Sequence, residues 1–236
     1  EAASVAEIEQ AFDADPMGIA AIIVEPIQGE GGDNHFRSEF LQQLRRIADK
    51  REAMLIFDEV QTGVGLTGSM WAFQQLGVTP DIVAFGKKTQ VCGIMSTDRV
   101  DDINTNVFHV SSRINSTWGG NLVDMVRGAR YLQIIEEEGL VENAALSGEL
   151  FLGELLAIQE SFALVTNVRG RGLMLAFDLP DAAQRDQLRE LCWDAGLATL
   201  GCGERSVRFR PSLTFSPEDI SKAVQFLRDA LVALHA

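Results

Sequence analysis

Along the first third of the chain, uninterrupted apolar runs alternate with stretches of helical period. Ile19 to Val24 is apolar throughout and is followed by Glu25-Pro26, Met54 to Phe57 stops at Asp58, and Ile82 to Phe85 stops at Gly86-Lys87. Such runs predict short strands buried on both faces, the first of them closed by its proline. Between the first two runs, Phe36 to Arg51 sets Phe40, Leu41, Leu44, Ile47 and Ala48 on one helical face, as a crossover helix does. Val5 to Phe12 predicts a short amphipathic helix, with Ser4 and Glu7 spaced as a capping box, and Ser69 to Leu76 predicts another short helix ahead of the strand that ends at Lys87. Strand, helix and strand repeating in this way imply an α/β fold with a mainly parallel sheet and helices on both faces.

The second half has a different texture. Phe108 to Asn121 is a loop dense in Ser, Thr, Asn and Gly. Helical patterns then run from Leu122 to Glu138 and from Ala144 to Ser161, separated at Gly139. Beyond them, strands are expected at Leu164 to Arg169, Gly172 to Leu179, Ala198 to Leu200 and Val207 to Arg210, with helices at Ala182 to Ala195 and Pro217 to Leu234. The expected organisation is a large α/β domain over residues 1–138 and a smaller C-terminal α+β domain over 139–236.

With 46% hydrophobic residues in 236 positions the chain can bury a substantial core. No apolar stretch approaches the roughly 20 residues that span a bilayer, so no membrane partner is expected. A formal net charge of −14 argues against nucleic acid or an anionic lipid surface, which require clustered Lys and Arg. Cys92, Cys192 and Cys202 are odd in number and show no C-x-x-C spacing, and His35, His109 and His235 stand apart. Neither a disulfide framework nor a metal site is expected.

The chemistry concentrates at two strand ends. Ligands in open α/β sheets lie beyond the carboxyl ends of the strands, so Asp58 and Lys87 are expected to face one crevice. The chain has only four lysines, Lys50, Lys87, Lys88 and Lys222, and two of them are adjacent here. An amine able to form a Schiff base, beside a carboxylate able to keep a ring nitrogen protonated, is what a pyridoxal phosphate enzyme needs. Taken singly, each residue also fits a plain reading, a strand-ending acid or a solvated lysine. The run Met54-Leu-Ile-Phe-Asp-Glu59 also fits the acidic strand of a P-loop ATPase, but no G-x-x-x-x-G-K-[ST] precedes it in residues 1–57.

Taken together, Glu25-Pro-Ile-Gln-Gly-Glu30-Gly-Gly, Asp58-Glu-Val-Gln61-Thr-Gly, Gly65-Leu-Thr-Gly68, Asp81-Ile-Val-Ala-Phe-Gly-Lys87, Thr117-Trp-Gly-Gly-Asn and Val207-Arg208-Phe-Arg-Pro resemble the class III, or ω-, aminotransferases. These are pyridoxal phosphate enzymes of fold type I, and the resemblance covers essentially the whole chain. Phe85-Gly-Lys-Lys-Thr-Gln-Val-Cys-Gly93 and Asn115-Ser-Thr-Trp-Gly-Gly120 make it most similar to the lysine 6-aminotransferase branch. The resemblance implies that Lys87 holds pyridoxal 5'-phosphate and shuttles the proton, that Asp58 pairs with the ring nitrogen, that Val60 packs on the ring and that Gln61 bonds the 3-oxygen. Thr117 would bind the phosphate of the neighbouring subunit, making a homodimer with shared active sites. Arg208 would take the α-carboxylate of 2-oxoglutarate, Glu30 would cover that arginine while an ω-amine donor is bound, and Asn115 would assist carboxylate binding.

The implied reaction moves the terminal amino group of L-lysine to 2-oxoglutarate in a cytoplasmic enzyme; ornithine or 4-aminobutyrate as donor is the alternative. The chain opens at Glu1 without an initiator Met or a signal-peptide pattern and is expected to be the C-terminal portion of a longer protein. In the family, a phosphate-binding Gly-Ser or Gly-Thr turn, a ring-stacking aromatic and usually a donor-carboxylate arginine lie upstream of this point. The 236 residues alone are therefore expected to be inactive, and a non-catalytic dimerising fragment or pseudoenzyme is the reading from another class.

Overall fold

Helix α1 (Ala2–Ala14) opens the computed structural model, which describes residues 1–114 and 120–235. It starts earlier than the sequence pattern suggests. Ser4 lies inside its first turn, Glu1 stands at the N-cap position, and no side chain caps the helix. The Glu1 carboxylate instead receives the backbone N–H and guanidinium of Arg37, so the expected capping box of Ser4 and Glu7 does not form. The following elements are β1 (Ala21–Val24), the two-residue strands β2 (Ile27–Gln28) and β3 (Asn34–His35), α2 (Ser38–Lys50), β4 (Met54–Asp58), β5 (Ile82–Phe85) and β6 (Gly93–Ser96). Only a 3₁₀ turn, Ala72–Gln75, occupies the place of the helix expected from Ser69 to Leu76.

The chain forms two units: residues 1–26, 36–61 and 73–137 make the first, and residues 27–35, 62–72 and 138–236 the second. The second unit thus includes two segments that the single cut expected near Gly139 assigned elsewhere. Burial explains their membership. Ile27 and Leu66 are buried with Ala144, Leu173 and Met174, and Leu173 N–H donates to the Leu66 carbonyl at 2.9 Å.

In the first unit the sheet order is β1-β4-β5-β6. The β1/β4 and β4/β5 pairs are parallel, whereas β6 returns antiparallel to β5. The connection from Phe85 to Gly93 is too short for a crossover, so antiparallel return is the only pairing open to it. Helix α2 buries Phe40, Leu41, Leu44, Ile47 and Ala48, the face read from its period.

At the end of β5 remote from Lys87, Asp81 joins three elements. Its Oδ2 accepts from Arg45 Nη1 at 2.8 Å, from Leu55 N–H at 2.7 Å and from Arg99 Nη1 at 3.1 Å. Burial by itself would raise this carboxyl; the Leu55 N–H, Arg45 and Arg99 outweigh it and hold the pKa below the ordinary aspartate value.

Helix α3 (Leu122–Glu137) still belongs to the first unit; α4 (Leu140–Ser161), β7 (Thr166–Arg171), β8 (Met174–Asp178), α5 (Ala182–Asp194), β9 (Leu200–Cys202), β10 (Ser206–Phe209) and α6 (Pro217–His235) complete the second. Its four strands run antiparallel in the order β7-β8-β10-β9. Phe151, Leu155, Phe177, Leu188, Val207 and Leu227 lie in one buried core beneath α4, α5 and α6. Two helix starts are legible in sequence. Asp181 accepts the Gln184 N–H at 2.8 Å, and Ser216 exchanges hydrogen bonds with Asp219 around Pro217, where proline suits the first helical position.

Asp81→Asn removes a charge while nearly preserving shape. A buried charge-assisted contact of this kind is worth about 1–3 kcal/mol at pH 7. Because the folded pKa is depressed, that stability is present above the unfolded aspartate pKa of about 3.9 and is lost as pH falls through the folded value. Urea unfolding of the variant and the parent should therefore differ at pH 7 and converge below pH of about 4.

Candidate active site

Register places the first group of candidate residues. In the parallel ladder Asp58 stands opposite Ala84, three residues before Lys87, so the acid and the amine leave neighbouring strands at the same edge of the sheet. Asp58 Oδ1 accepts the Val60 N–H at 3.0 Å; no other hydrogen bond or ion pair engages this carboxylate among the described residues. Val60 and Gln61 are half-buried just beyond it. The Gln61 carbonyl accepts from Lys88 Nζ at 2.6 Å, which ties Lys88 down, while Lys87 is exposed and its ammonium makes no such contact among the described residues. The two neighbouring amines thus have different fates.

Lys87 begins a 3₁₀ turn through Thr89 and carries φ of +47°, a left-handed backbone uncommon for a side-chain-bearing residue. The turn is held by Gln90 N–H donating to the Lys87 carbonyl at 3.0 Å and by Thr89 Oγ1 donating to the Val91 carbonyl at 2.7 Å. Helix α3 packs behind it at Gly128, where an added Cβ would stand 2.9 Å from the Thr89 carbonyl oxygen. Glu59, one residue past Asp58, is almost fully buried, and its Oε1 accepts the Phe73 N–H at 2.9 Å. This acid fastens the connection that follows the strand.

The second group lies in the other unit. Arg208, on β10, donates from Nη2 to Glu30 Oε2 at 2.6 Å. The pair is lopsided, since the Arg208 side chain is 11% exposed and that of Glu30 is 74% exposed. Arg208 Nε and Nη1 are buried with no hydrogen-bond partner among the described residues, so the guanidinium has donors to spare for a further anion. Glu30 and Arg208 line an open cleft of about 430 Å³ with Arg185, Arg189 and Gly201. Arg210, two positions along, pairs with Asp33 rather than with Glu30. Thr117 and Asn115 lie outside the described residues.

Sequence reasoning missed the network behind Glu30. Asp33 is fully buried, and both its oxygens accept from Arg210. Burial pushes its pKa up, against the pull of Arg210, Arg169 and Arg208. Arg169 Nε and Nη2 donate to the carbonyls of Asp33 and Gly32 at 2.8 and 2.7 Å. The available signal was the Gly-Gly-Asp33 turn together with one arginine in a later strand and another just past the end of a second; only the fold shows that they meet.

The profile of the family described as Aminotransferase class-III matches residues 1–231. This chain belongs to the class-III aminotransferases. It is 53% identical over 232 residues to the L-lysine-epsilon aminotransferase of Mycobacterium tuberculosis, covering 98% of this chain and 52% of that protein. It is 50% identical over 229 residues to the L-lysine-epsilon aminotransferase of Streptomyces clavuligerus, covering 95% and 50%. A solved structure of the M. tuberculosis lysine aminotransferase in its internal aldimine form superposes with a TM-score of 0.95 at 52% identity, over 98% of this chain and 53% of that one. The chain spans about half the length of the curated relatives it matches.

The donor set described above fits the family's pyridoxal phosphate: an accessible amine on a constrained turn, a carboxylate with an unoccupied oxygen, and a carboxamide nearby in sequence. A nucleotide-hydrolysing site, the other reading of Met54 to Glu59, has no place in this family. Among the described residues no cluster of His, Cys, Asp and Glu could hold a metal ion, and no helix is long and apolar enough to cross a membrane.

His35, beside the Glu30 turn, does not act as a proton carrier. Burial, with Arg169, Arg171 and Arg210 adding repulsion, holds its pKa at about 3, and its Nε2 is buried without a partner among the described residues. NMR of its ring should accordingly show no titration between pH 5 and pH 8, where an ordinary histidine of pKa about 6.5 changes charge.

Proposed function

We propose that the enzyme to which this chain contributes transfers the terminal amino group of L-lysine to 2-oxoglutarate, giving 2-aminoadipate 6-semialdehyde and glutamate. The observation that carries this reading is the Arg208–Glu30 pair, a buried guanidinium covered by an exposed carboxylate, in a chain of this family with Lys87 and Asp58 at adjoining strand ends. The named relatives are aminotransferases of the same donor, which supports L-lysine over ornithine and 4-aminobutyrate.

In this reading Lys87 Nζ would hold the cofactor through its aldehyde carbon and carry the proton of the donor's terminal carbon. Asp58, with one oxygen fixed by the Val60 N–H, would offer the other to the ring nitrogen. Val60 would pack on the ring and Gln61 would donate to its 3-oxygen. Bound in this place, pyridoxal 5'-phosphate supplies an electron sink for the carbon that loses its proton. By the family resemblance, Thr117 would hold the phosphate across a homodimer interface and Asn115 would assist carboxylate binding.

Two substrates must share one binding region, and only one of them brings a carboxylate next to its reacting carbon. With L-lysine reacting at its terminal amine, Arg208 would be an uncompensated buried cation without Glu30. With 2-oxoglutarate, Glu30 yields and the unpartnered Arg208 Nε and Nη1 take the α-carboxylate, a bidentate match that guanidinium geometry favours. A cytoplasmic homodimer is part of the proposal. Leu122, Val123, Met125 and Val126 are all at least half exposed in the first turns of α3, an apolar patch of the kind a subunit interface covers.

In the intact enzyme, borohydride reduction should fix the cofactor on Lys87, read by peptide mass spectrometry, and Lys87→Ala should lose this adduct together with about a thousandfold or more of turnover. Retention of either would remove Lys87 from the role. Glu30→Ala should slow the L-lysine half-reaction by about tenfold or more, since it uncovers a buried cation, while leaving the 2-oxoglutarate half-reaction within about twofold. Stopped-flow spectra of each half-reaction decide this, and equal losses in both would sink the switch. A preparation whose visible band responds to ornithine or 4-aminobutyrate but ignores L-lysine would keep the aminotransferase and replace the donor.

A further inference from the structure

The switch proposed above requires Glu30 to change partners repeatedly and to return to the same place. Its side chain pairs with Arg208, its one polar partner among the described residues, and is 74% exposed. Its backbone is the opposite. The Glu30 carbonyl accepts the Gly203 N–H at 2.9 Å. Gly203 has φ of +52°, and an added Cβ there would lie 2.6 Å from Gly32 Cα, so turn and hairpin meet main chain to main chain. The next two carbonyl groups after Gly31, those of Gly32 and Asp33, both accept from Arg169.

Arg169 is itself immobilised. Its Nη1 pairs with Asp178 at 2.9 Å and donates to the Asn167 carbonyl at 2.7 Å, and its Nη2 also donates to Ser206 Oγ at 2.9 Å. Ser206 in turn donates to Asp178 Oδ1 at 2.6 Å. Asp33 is fully buried with φ of +54° and both oxygens on Arg210, and a non-glycine residue keeps such a backbone only where its surroundings over-determine it.

From these contacts we infer that Arg169 and Arg210, the latter through Asp33, are positioning residues for Glu30: they lock the backbone of its turn so that substrate exchange moves the Glu30 side chain alone. The inference rests on the switch reading of the preceding subsection and adds to it the part that sets where the carboxylate returns. Neither arginine needs to touch substrate. Each spends its donors on backbone carbonyls or on a buried acid, in the way supporting hydrogen bonds fix the geometry of a reacting group.

The test uses Arg169→Lys in the intact, cofactor-loaded enzyme. Lysine keeps the charge beside Asp178 but cannot donate to two carbonyls and a hydroxyl from one planar fork. The L-lysine half-reaction should slow about tenfold, as small misplacements of a positioned group do, with the 2-oxoglutarate half-reaction changed by less than about twofold. The same substitution made on top of Glu30→Ala should have less than about a twofold further effect on the L-lysine half-reaction, because the group being positioned is gone. Equal slowing of both half-reactions, or an undiminished effect in the Glu30→Ala background, overturns the inference and leaves the switch standing. If Glu30→Ala alone leaves the two halves balanced, the switch reading fails and the inference falls with it. Should Arg169→Lys not fold, Arg210→Lys, which keeps a cation beside Asp33 but removes the two-pronged grip, is judged by the same criteria.

Discussion

The parallel pairing of β4 with β5 is the constraint on which the candidate chemistry depends. Once Asp58 is opposite Ala84, the chain has no freedom over where the next few residues emerge: one strand must release an acid and the other an amine at the same rim. The pairing is secured from the far end. Asp81 gathers Arg45, Arg99 and the Leu55 N–H around one oxygen, joining α2, β4 and the segment after β6. A one-residue slip would turn every side chain of the strand to the wrong face and would separate the acid from the amine. At the other end Lys87 is left exposed, and its ammonium makes no hydrogen bond or ion pair among the described residues.

The Glu30 region solves a different problem with related means. Among the described residues Arg208 Nε and Nη1 have no partner, and a buried guanidinium left in that state is costly. The fold tolerates Arg208 because Glu30 sets an opposite charge against it while keeping most of its own surface in water. Around it, Asp33 and Arg210 form a contrasting ion pair, bidentate and with the carboxylate wholly shielded from solvent.

Much of this was legible in the residues. The buried face of α2 followed from its period, residue for residue, and the strands ending at Asp58 and Lys87 followed from uninterrupted apolar runs flanked by chemistry. What failed to show has physical causes. The start of α1 was misplaced because Glu1 is engaged by Arg37, a partner 36 positions away that no local pattern reveals. The stretch 69–76 has helical spacing but closes only a 3₁₀ turn, since its residues are claimed by contacts such as the Phe73 N–H to Glu59. The segments 27–35 and 62–72 join the second unit through burial of Ile27 and Leu66, a long-range choice that composition does not encode. The bonds from Arg169 to Gly32 and Asp33 bridge more than 130 positions and are of the same kind. The placing of Lys87 and Asp58 at strand ends was readable because strand ends announce themselves, whereas the burial of Asp33 in the other unit was not, since it looked like an ordinary turn residue.

The contact between Gly203 and Gly32 has an evolutionary corollary. Where two backbones touch without an intervening side chain, neither segment can gain or lose a residue without prising the other away. Descendants of this sequence can therefore exchange the side chain carried at position 30, but cannot lengthen or shorten the loop that carries it. Diversity at this spot should take the form of substitutions in an alignment column, with gaps displaced to the flanking surface.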